Sequence, residues 1–390
     1  MDSQPLIFSA SIGQGHQQAA LSLQKELMRS SSYKPEIIDI FKWIHPMLHF
    51  GIRSSYLWML KKKPQMWGRF YSRLNRFNFF ERKAMKWLAS QLEQFISKRE
   101  VPFVISTHPL ATWLLSIAKE EGRKRFPLFS VITDFRFHPA YISEQVDGYF
   151  TIDETADLVL RQLGLNNQRV FQTGIPFPCS PSSYDQKTLR EQFEINCEQP
   201  AIMLASGSDG LMDFLTIIDN LEELPLEVTV LCMVGHNQTM MKKLQTKKSK
   251  HRILIRPFTS LFLEYIQSCD LIVTKAGGLT VSEALACETP IVLYEPIVGH
   301  EEENALILEK WGAALFAKDS SELIKDIYSV IANQETRNEL LTRARKYRKP
   351  EAAKEITTHI LHLLIQYPLE SQHSYESYDV LPVAKSKEQG

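Results

Sequence analysis

Short apolar runs recur along the chain, each closed by a turn rich in glycine, proline or threonine. Residues 5–9, 37–41, 101–107, 128–133, 149–152 and 169–172 read as strands in the first half, and 201–205, 228–234, 253–256, 271–274 and 291–294 in the second. They are near-continuous in Val, Ile, Leu and Phe rather than alternating, as strands covered on both faces are. Between them apolar positions recur three and four apart. Ala20, Leu23 and Leu27 share one face of a helix over 17–30, and Val281, Ala284 and Leu285 share one face of a helix after residue 277. Further helices are predicted over 154–163, from near Glu301 to near Gly312, and over 352–364. Strands alternating with helices predict an α/β protein, two Rossmann-like parallel-sheet domains facing a cleft. The proline- and glycine-rich stretch 173–181 is the predicted linker. The domains are then 1–175 and 182–348, followed by a helical segment 349–370 and a polar tail 371–390.

Composition changes this picture in one place. The chain has 390 residues, suited to two domains, and a formal net charge of zero. The five cysteines (Cys179, Cys197, Cys232, Cys269, Cys287) form no C-x-x-C pair, so neither a zinc site nor a disulfide framework is predicted. That usage fits a reducing cytoplasm. The N-terminus does not read as a signal peptide, and no apolar stretch approaches the ~20 residues needed to span a bilayer. Residues 41–87, however, interleave aromatic and basic side chains against a single acid, Glu81. Trp58, Lys61, Lys62, Lys63, Trp67 and Arg69 are its centre. Rings that enter a headgroup layer and cations that meet lipid phosphate suit an anionic membrane surface. That reading stands ahead of ordinary core with a solvated basic face, and ahead of nucleic acid.

Candidate chemistry gathers at the carboxyl ends of the predicted strands. After 271–274, Gly277 and Gly278 turn the backbone onto a helix N-terminus, where free N–H groups and the helix dipole suit a diphosphate. Gly277, Gly278, Leu279 and Thr280 would hold it, and Glu283 would accept from a ribose hydroxyl. Alternatively Thr280 and Glu283 only cap one another as a T-x-x-E box. The first turn, SASIGQGH over 9–16, carries Gly13, Gly15 and His16. It lacks the Lys-Ser/Thr pair of a phosphate-binding loop and the third glycine of a dinucleotide fingerprint. His16 is the first candidate base, since an imidazole can take a proton from a hydroxyl at neutral pH. It can equally hold the diphosphate or the sugar. THP over 107–109 and TDFRFH over 133–138 close two further strands. Asp134 is the second candidate base. A third glycine turn, over 206–210, carries Gly207 and Ser208. No D-x-D pair stands in a suitable turn, so no obligatory metal and no cofactor is expected.

KAGGLTVSEAL over 275–285, followed by PIVGHEEEN over 296–304, resembles the donor-site signature shared by the peptidoglycan UDP-GlcNAc transferase, plant monogalactosyldiacylglycerol synthases and bacterial processive diacylglycerol glucosyltransferases. The G-x-G-H-x-x-A-A form at 13–20 resembles the same group, as do THP and TDFRFH. The likeness covers most of residues 5–315. It implies the GT-B architecture, with the final helix crossing back onto the first domain. It implies that the 275–285 segment grips the nucleotide diphosphate, that His300, Glu301 and Asn304 read the sugar, and that the loop at Phe258 meets uracil. It also implies that His108, Pro109, Phe135 and His138 line an acceptor region. His300 stands where the family usually has Gln, and Ser206 where it has Gly. The implied activity is transfer of a hexose from a UDP-sugar to a lipid, diacylglycerol first, with inversion, by an enzyme bound peripherally to the inner face of the cell membrane. A UDP-sugar 2-epimerase, or a non-catalytic lipid- or nucleotide-sensing protein of the same fold, is the alternative.

Overall fold

The computed structural model describes residues 3–11, 14–45, 79–122, 126–178 and 180–373. Gly13, Cys179 and the predicted membrane residues Trp58, Lys61, Lys62, Lys63, Trp67 and Arg69 lie outside the described residues. The N-terminal half runs β1 (Leu6–Ser9), α1 (Gln14–Ser30), β2 (Glu36–Asp39), α2 (Ile40–Ile44), α3 (Phe79–Ser97), β3 (Val104–Ser106), α4 (Pro109–Glu121), β4 (Leu128–Val131), β5 (Gly148–Thr151), α5 (Ala156–Gln162) and β6 (Arg169–Gln172). These strands form one parallel sheet in the order β2-β1-β3-β4-β5-β6. The C-terminal half runs α6 (Gln186–Phe193), β7 (Ala201–Ala205), α7 (Phe214–Leu221), β8 (Thr229–Gly235), α8 (Gln238–Gln245), β9 (Arg252–Pro257), α9 (Phe262–Ser268), β10 (Leu271–Thr274), α10 (Gly278–Ala286), β11 (Ile291–Tyr294), α11 (His300–Trp311), β12 (Leu315–Ala317), α12 (Ser320–Ala332), α13 (Gln334–Ala344) and α14 (Ala352–His373). Its parallel sheet has the order β12-β11-β10-β7-β8-β9.

The predicted strands are present, with three adjustments, one being that the strand predicted over 128–133 ends at Val131. The second strand ends at Asp39, whose carboxylate accepts from the N–H groups of Phe41 and Lys42 and caps α2, so residues 40–41 are helical despite their apolar character. The strand predicted over 101–107 narrows to Val104–Ser106. β12 was not predicted; three residues at a sheet edge carry too little pattern to be read.

Strand order decides where a ligand sits. In the first sheet the chain runs from β1 outward to β2 and then returns past β1 to β3, so the order reverses between β1 and β3. In the second it runs β7, β8, β9 one way, then β10, β11, β12 the other, reversing between β7 and β10. A parallel sheet opens a crevice outside the carboxyl ends of its strands at such a point. The cleft lies at these points, lined by the turns after β1 and β4 on one side and those after β7 and β10 on the other.

The two halves are knit by more than their linker. Gly174 in the linker has φ +84°, and a Cβ there would lie 2.6 Å from Cβ of Lys349. Only glycine lets the returning chain cross at that point. Beyond the crossing, Ile356 and Ile360 of α14 pack with Ile7, Leu23 and Leu27 in the core of the first domain. Phe135, at the end of β4, is fully buried in the core of the second domain, edge-on to Trp311 of α11. Trp311 in turn stacks on Tyr347, with ring centroids 4.0 Å apart. No helix among the described residues is long and apolar enough to cross a membrane. Phe41 and Trp43, at the start of the aromatic-basic segment, pack against the first domain's core.

Candidate active site

The cleft has a volume of about 480 Å³. Its first-domain wall is Gln14, Gly15, His16 and Gln18 from the start of α1, with Thr133 and Asp134 after β4. Its second-domain wall is Ser206–Asp209 after β7, Pro257–Ser260 after β9, Lys275 and Gly277–Thr280 after β10, Glu283 in α10, and Ile297, His300 and Glu301 after β11.

His16 is held in one orientation. Its Nδ1 lies 2.7 Å from the carbonyl oxygen of Thr107 and 2.8 Å from Thr133 Oγ1. A carbonyl can only accept, so Nδ1 carries the hydrogen in the neutral ring and Nε2 carries the lone pair. Burial lowers the pKa of His16, against an opposing pull from Asp134 and the Thr107 hydrogen bond. The ring is therefore a neutral base at pH 7, with Nε2 as its basic atom. Thr107 and Thr133 were not singled out in the sequence, although both end predicted strands.

His108 and His138 have different work from the one expected of them. Nδ1 of His108 accepts from the Leu110 N–H at the start of α4, and Nδ1 of His138 accepts from the Ala140 N–H in a short 3-10 turn over Pro139–Tyr141. Pro109 and Pro139 occupy the first positions of these turns, where a missing N–H costs nothing. Burial holds both histidines below the ordinary imidazole range. Neither lines the cleft, nor does Phe135, which lies in the other domain's core. His108 does touch the site: its ring meets His16 edge-on at 4.7 Å.

On the donor side, α10 begins at Gly278 with Gly277 as its cap, and no side chain caps it. Thr280 and Glu283 thus form no capping box, because the glycine pair starts the helix two residues before Thr280. The N–H groups of Gly278, Leu279 and Thr280 open the first turn. The start of α1 comes up opposite: a Cβ on Gly15 would lie 3.8 Å from Leu279 Cβ. The α11 N-terminus also borders the cleft at His300. Three positive helix ends therefore meet there. Among the described residues lining the cleft, Lys275, the first residue of the 275–285 segment, is the one lysine or arginine, and the same wall carries the carboxyl groups of Asp134, Asp209, Glu283 and Glu301. Glu301 accepts from the Ile297 N–H at 2.8 Å and braces the 297–301 loop. Phe258, 47% exposed, stacks on His236 at 4.7 Å and presents a flat ring at the rim. Asn304, expected to read the sugar, is fully buried, with its amide bonded to Asp134, Phe135, Arg136 and Ala276. No group of three or more acidic, histidine or cysteine side chains able to hold a metal occurs among the described residues.

Glu283 carries a prediction of its own. It is 6% exposed, and burial pushes its carboxyl up to about 8, against 4.5 for an ordinary glutamate. The folded state must therefore hold a proton that the unfolded chain releases. Stability from this group is unchanged below about pH 4.5 and declines as pH rises from there to about 8. Glu283→Gln is expected to remove that decline and to be the more stable protein at pH 7 by on the order of 3 kcal/mol. Melting temperatures at pH 5 and pH 8 test this; parallel losses in both proteins would refute it.

Two Rossmann-like domains closed over a cleft, with a glycine-led helix N-terminus on one side and a part-buried histidine on the other, have the form of a GT-B glycosyltransferase that uses a UDP-sugar. Residues 16–177 match the family model for monogalactosyldiacylglycerol (MGDG) synthase, and residues 201–359 match that for the glycosyltransferase family 28 C-terminal domain. Each half of the chain thus matches a glycosyltransferase family model of its own. It is 25% identical over 377 residues to the processive diacylglycerol beta-glucosyltransferase of Bacillus licheniformis, covering 91% of this chain and 94% of the relative. The enzyme of the same name from Bacillus mycoides is likewise 25% identical over 377 residues, covering 91% and 92%. Acinetobacter baumannii MurG shares the fold, with a TM-score of 0.63 over 93% of this chain and all of that one at 16% identity. Phytolacca americana UGT2 does so with a TM-score of 0.59 over 94% and 100%, at 12% identity.

Proposed function

We propose that the enzyme transfers a hexose, glucose first among the candidates, from its UDP-sugar to the free hydroxyl of diacylglycerol at an anionic membrane surface on the cytoplasmic side. The observation that carries the reading is His16, neutral and fixed by the Thr107 carbonyl, facing the glycine turn of α10 across the cleft. Nε2 takes the proton of the acceptor hydroxyl as its oxygen attacks the anomeric carbon. The C–O bond to the diphosphate breaks on the opposite face, so the product is inverted. Charge growing on the departing UDP is met by the α10 N–H groups and by Lys275, donors already in place before reaction. Such a site calls for no cofactor. Uracil lies against the Phe258 loop, and a ribose hydroxyl donates to the carbonyl oxygen of the protonated Glu283 carboxyl. The names of the relatives support diacylglycerol and glucose. Trp87 of α3, 64% exposed in the aromatic-basic segment beside a Lys86 paired with Glu121, supports membrane contact.

The test is transfer from radiolabelled UDP-glucose, UDP-galactose and UDP-N-acetylglucosamine to vesicles of anionic lipid and diacylglycerol. Labelled glycolipid from UDP-glucose is the expected product. Tight UDP binding with no labelled lipid from any donor would sink the diacylglycerol acceptor.

A further inference from the structure

We infer that Asn304 is a positioning residue, which holds the Asp134 carboxylate beside His16 and ties it to the donor half of the cleft. The inference rests on the proposed role of His16 as the base, to which it adds Asp134 as the charge that favours the protonated ring.

Asn304 lies in the second turn of α11, one turn beyond His300 and Glu301, and is fully buried. Its Nδ2 donates to Asp134 Oδ1 at 3.2 Å and to the Ala276 carbonyl at 3.1 Å. Its Oδ1 accepts from the N–H groups of Phe135 at 2.9 Å and Arg136 at 3.2 Å. A primary amide has two donor hydrogens and two acceptor lone pairs, so its capacity is filled. The orientation of the amide is also settled by chemistry. Ala276 and Asp134 offer only acceptors on one side, and two backbone N–H groups stand on the other, so a flipped amide would oppose like with like.

The four partners belong to two domains. Ala276 immediately precedes the glycine pair that starts α10, while Asp134, Phe135 and Arg136 form the turn after β4. One side chain therefore couples the diphosphate turn to the loop that carries Asp134. Asp134 lies close enough to His16 to favour its protonated form, the form His16 takes as it removes the acceptor proton. If Asn304 lets go, Asp134 loses its side-chain donor from the second domain, and the loop behind it loses the acceptor for two N–H groups, that of Phe135 buried and that of Arg136 partly so. The sugar-reading role expected from the motif would require Asn304 to surrender one of these bonds.

A double-mutant cycle between Asn304→Ala and Asp134→Ala separates the roles, with transfer kinetics and calorimetric UDP binding measured on each full-length protein. Asn304→Ala alone is expected to lower kcat about 10- to 100-fold with UDP affinity unchanged. In the Asp134→Ala background the same substitution is expected to add less than about a twofold further loss. Asn304→Asp forms a second cycle that does not depend on the alanine variant folding. It keeps an acceptor for Phe135 and Arg136 but sets a carboxylate against Asp134 and the Ala276 carbonyl, so its loss should exceed that of Asn304→Ala and be largely relieved in the Asp134→Ala background. Independent, multiplying losses in both cycles would overturn the inference. So would a rise in the KM for UDP-sugar with kcat intact, which would mark a sugar contact. If Asp134→Ala by itself left kcat unchanged, the underlying role of Asp134 would fall, and that arm shows it before Asn304 is altered.

Discussion

Replacing His16 with alanine is expected to lower kcat about 10²- to 10⁴-fold while UDP binding persists. The size follows from what the side chain supplies. Alanine leaves no group at Nε2 to take the acceptor proton, whereas the α10 turn and Lys275, the proposed diphosphate contacts, are untouched on the opposite wall. The pH profile provides a second check. Burial, the largest influence on this ring, depresses its pKa, so the basic form persists below the ordinary imidazole range. The acidic limb of kcat/KM is therefore expected below pH 6.5 and should vanish in the variant. Asn and Gln at position 16 offer no proton acceptor of comparable basicity and should fail as alanine does. An unchanged kcat in His16→Ala would remove the histidine from the chemistry and leave it as a structural link between α1 and β3.

The second large effect concerns two adjacent glycines that the motif treats alike. A Cβ on Gly278 would sit 1.9 Å from the carbonyl oxygen of Thr133 in the other domain, while a Cβ on Gly277 would meet only Glu301 Oε1, at 3.5 Å. Neither residue has a positive φ, so the difference is one of space and not of backbone strain. Gly278→Ala is expected to force the domains apart at this seam, costing about 1–3 kcal/mol of stability. It should also cost on the order of 100-fold in kcat, because Thr133 carries the hydroxyl beside His16 and precedes Asp134. Gly277→Ala should keep the melting temperature of the parent. Thermal melts and transfer kinetics on the pair decide it: equal losses in both variants, or none in Gly278→Ala, would refute the account.

These expectations could not be read from the chain alone, and the reason differs from residue to residue. The strand runs and the glycine turns were legible because burial on both faces of a parallel sheet leaves a local signature, and turns at strand ends need residues that tolerate tight backbone. His16, Asp134 and the α10 turn were legible for the same reason, since ligand-binding groups of such sheets cluster at the carboxyl ends of strands. The partner of His16 was not. The Thr107 carbonyl that selects its tautomer is 91 residues away, and nothing about a threonine after a strand announces that its backbone will accept from a distant ring.

The sequence by itself determined the α/β class with two parallel sheets and the placing of candidate chemistry on turns at the carboxyl ends of strands. Apolar periodicity and turn chemistry are properties of neighbouring residues, and the alternation of strands with helices leaves few ways to bury them. Only the tertiary structure decided how those turns divide their work. It put His108 and His138 at the starts of helical turns, buried Phe135 in the opposite domain, and separated Gly278 from Gly277 by a single carbonyl of the other half. It also joined Asn304 to Asp134 across 170 positions of chain. Hydrogen-bond partners and close approaches between domains depend on where whole sheets come to rest, and no local pattern of residues encodes that distance.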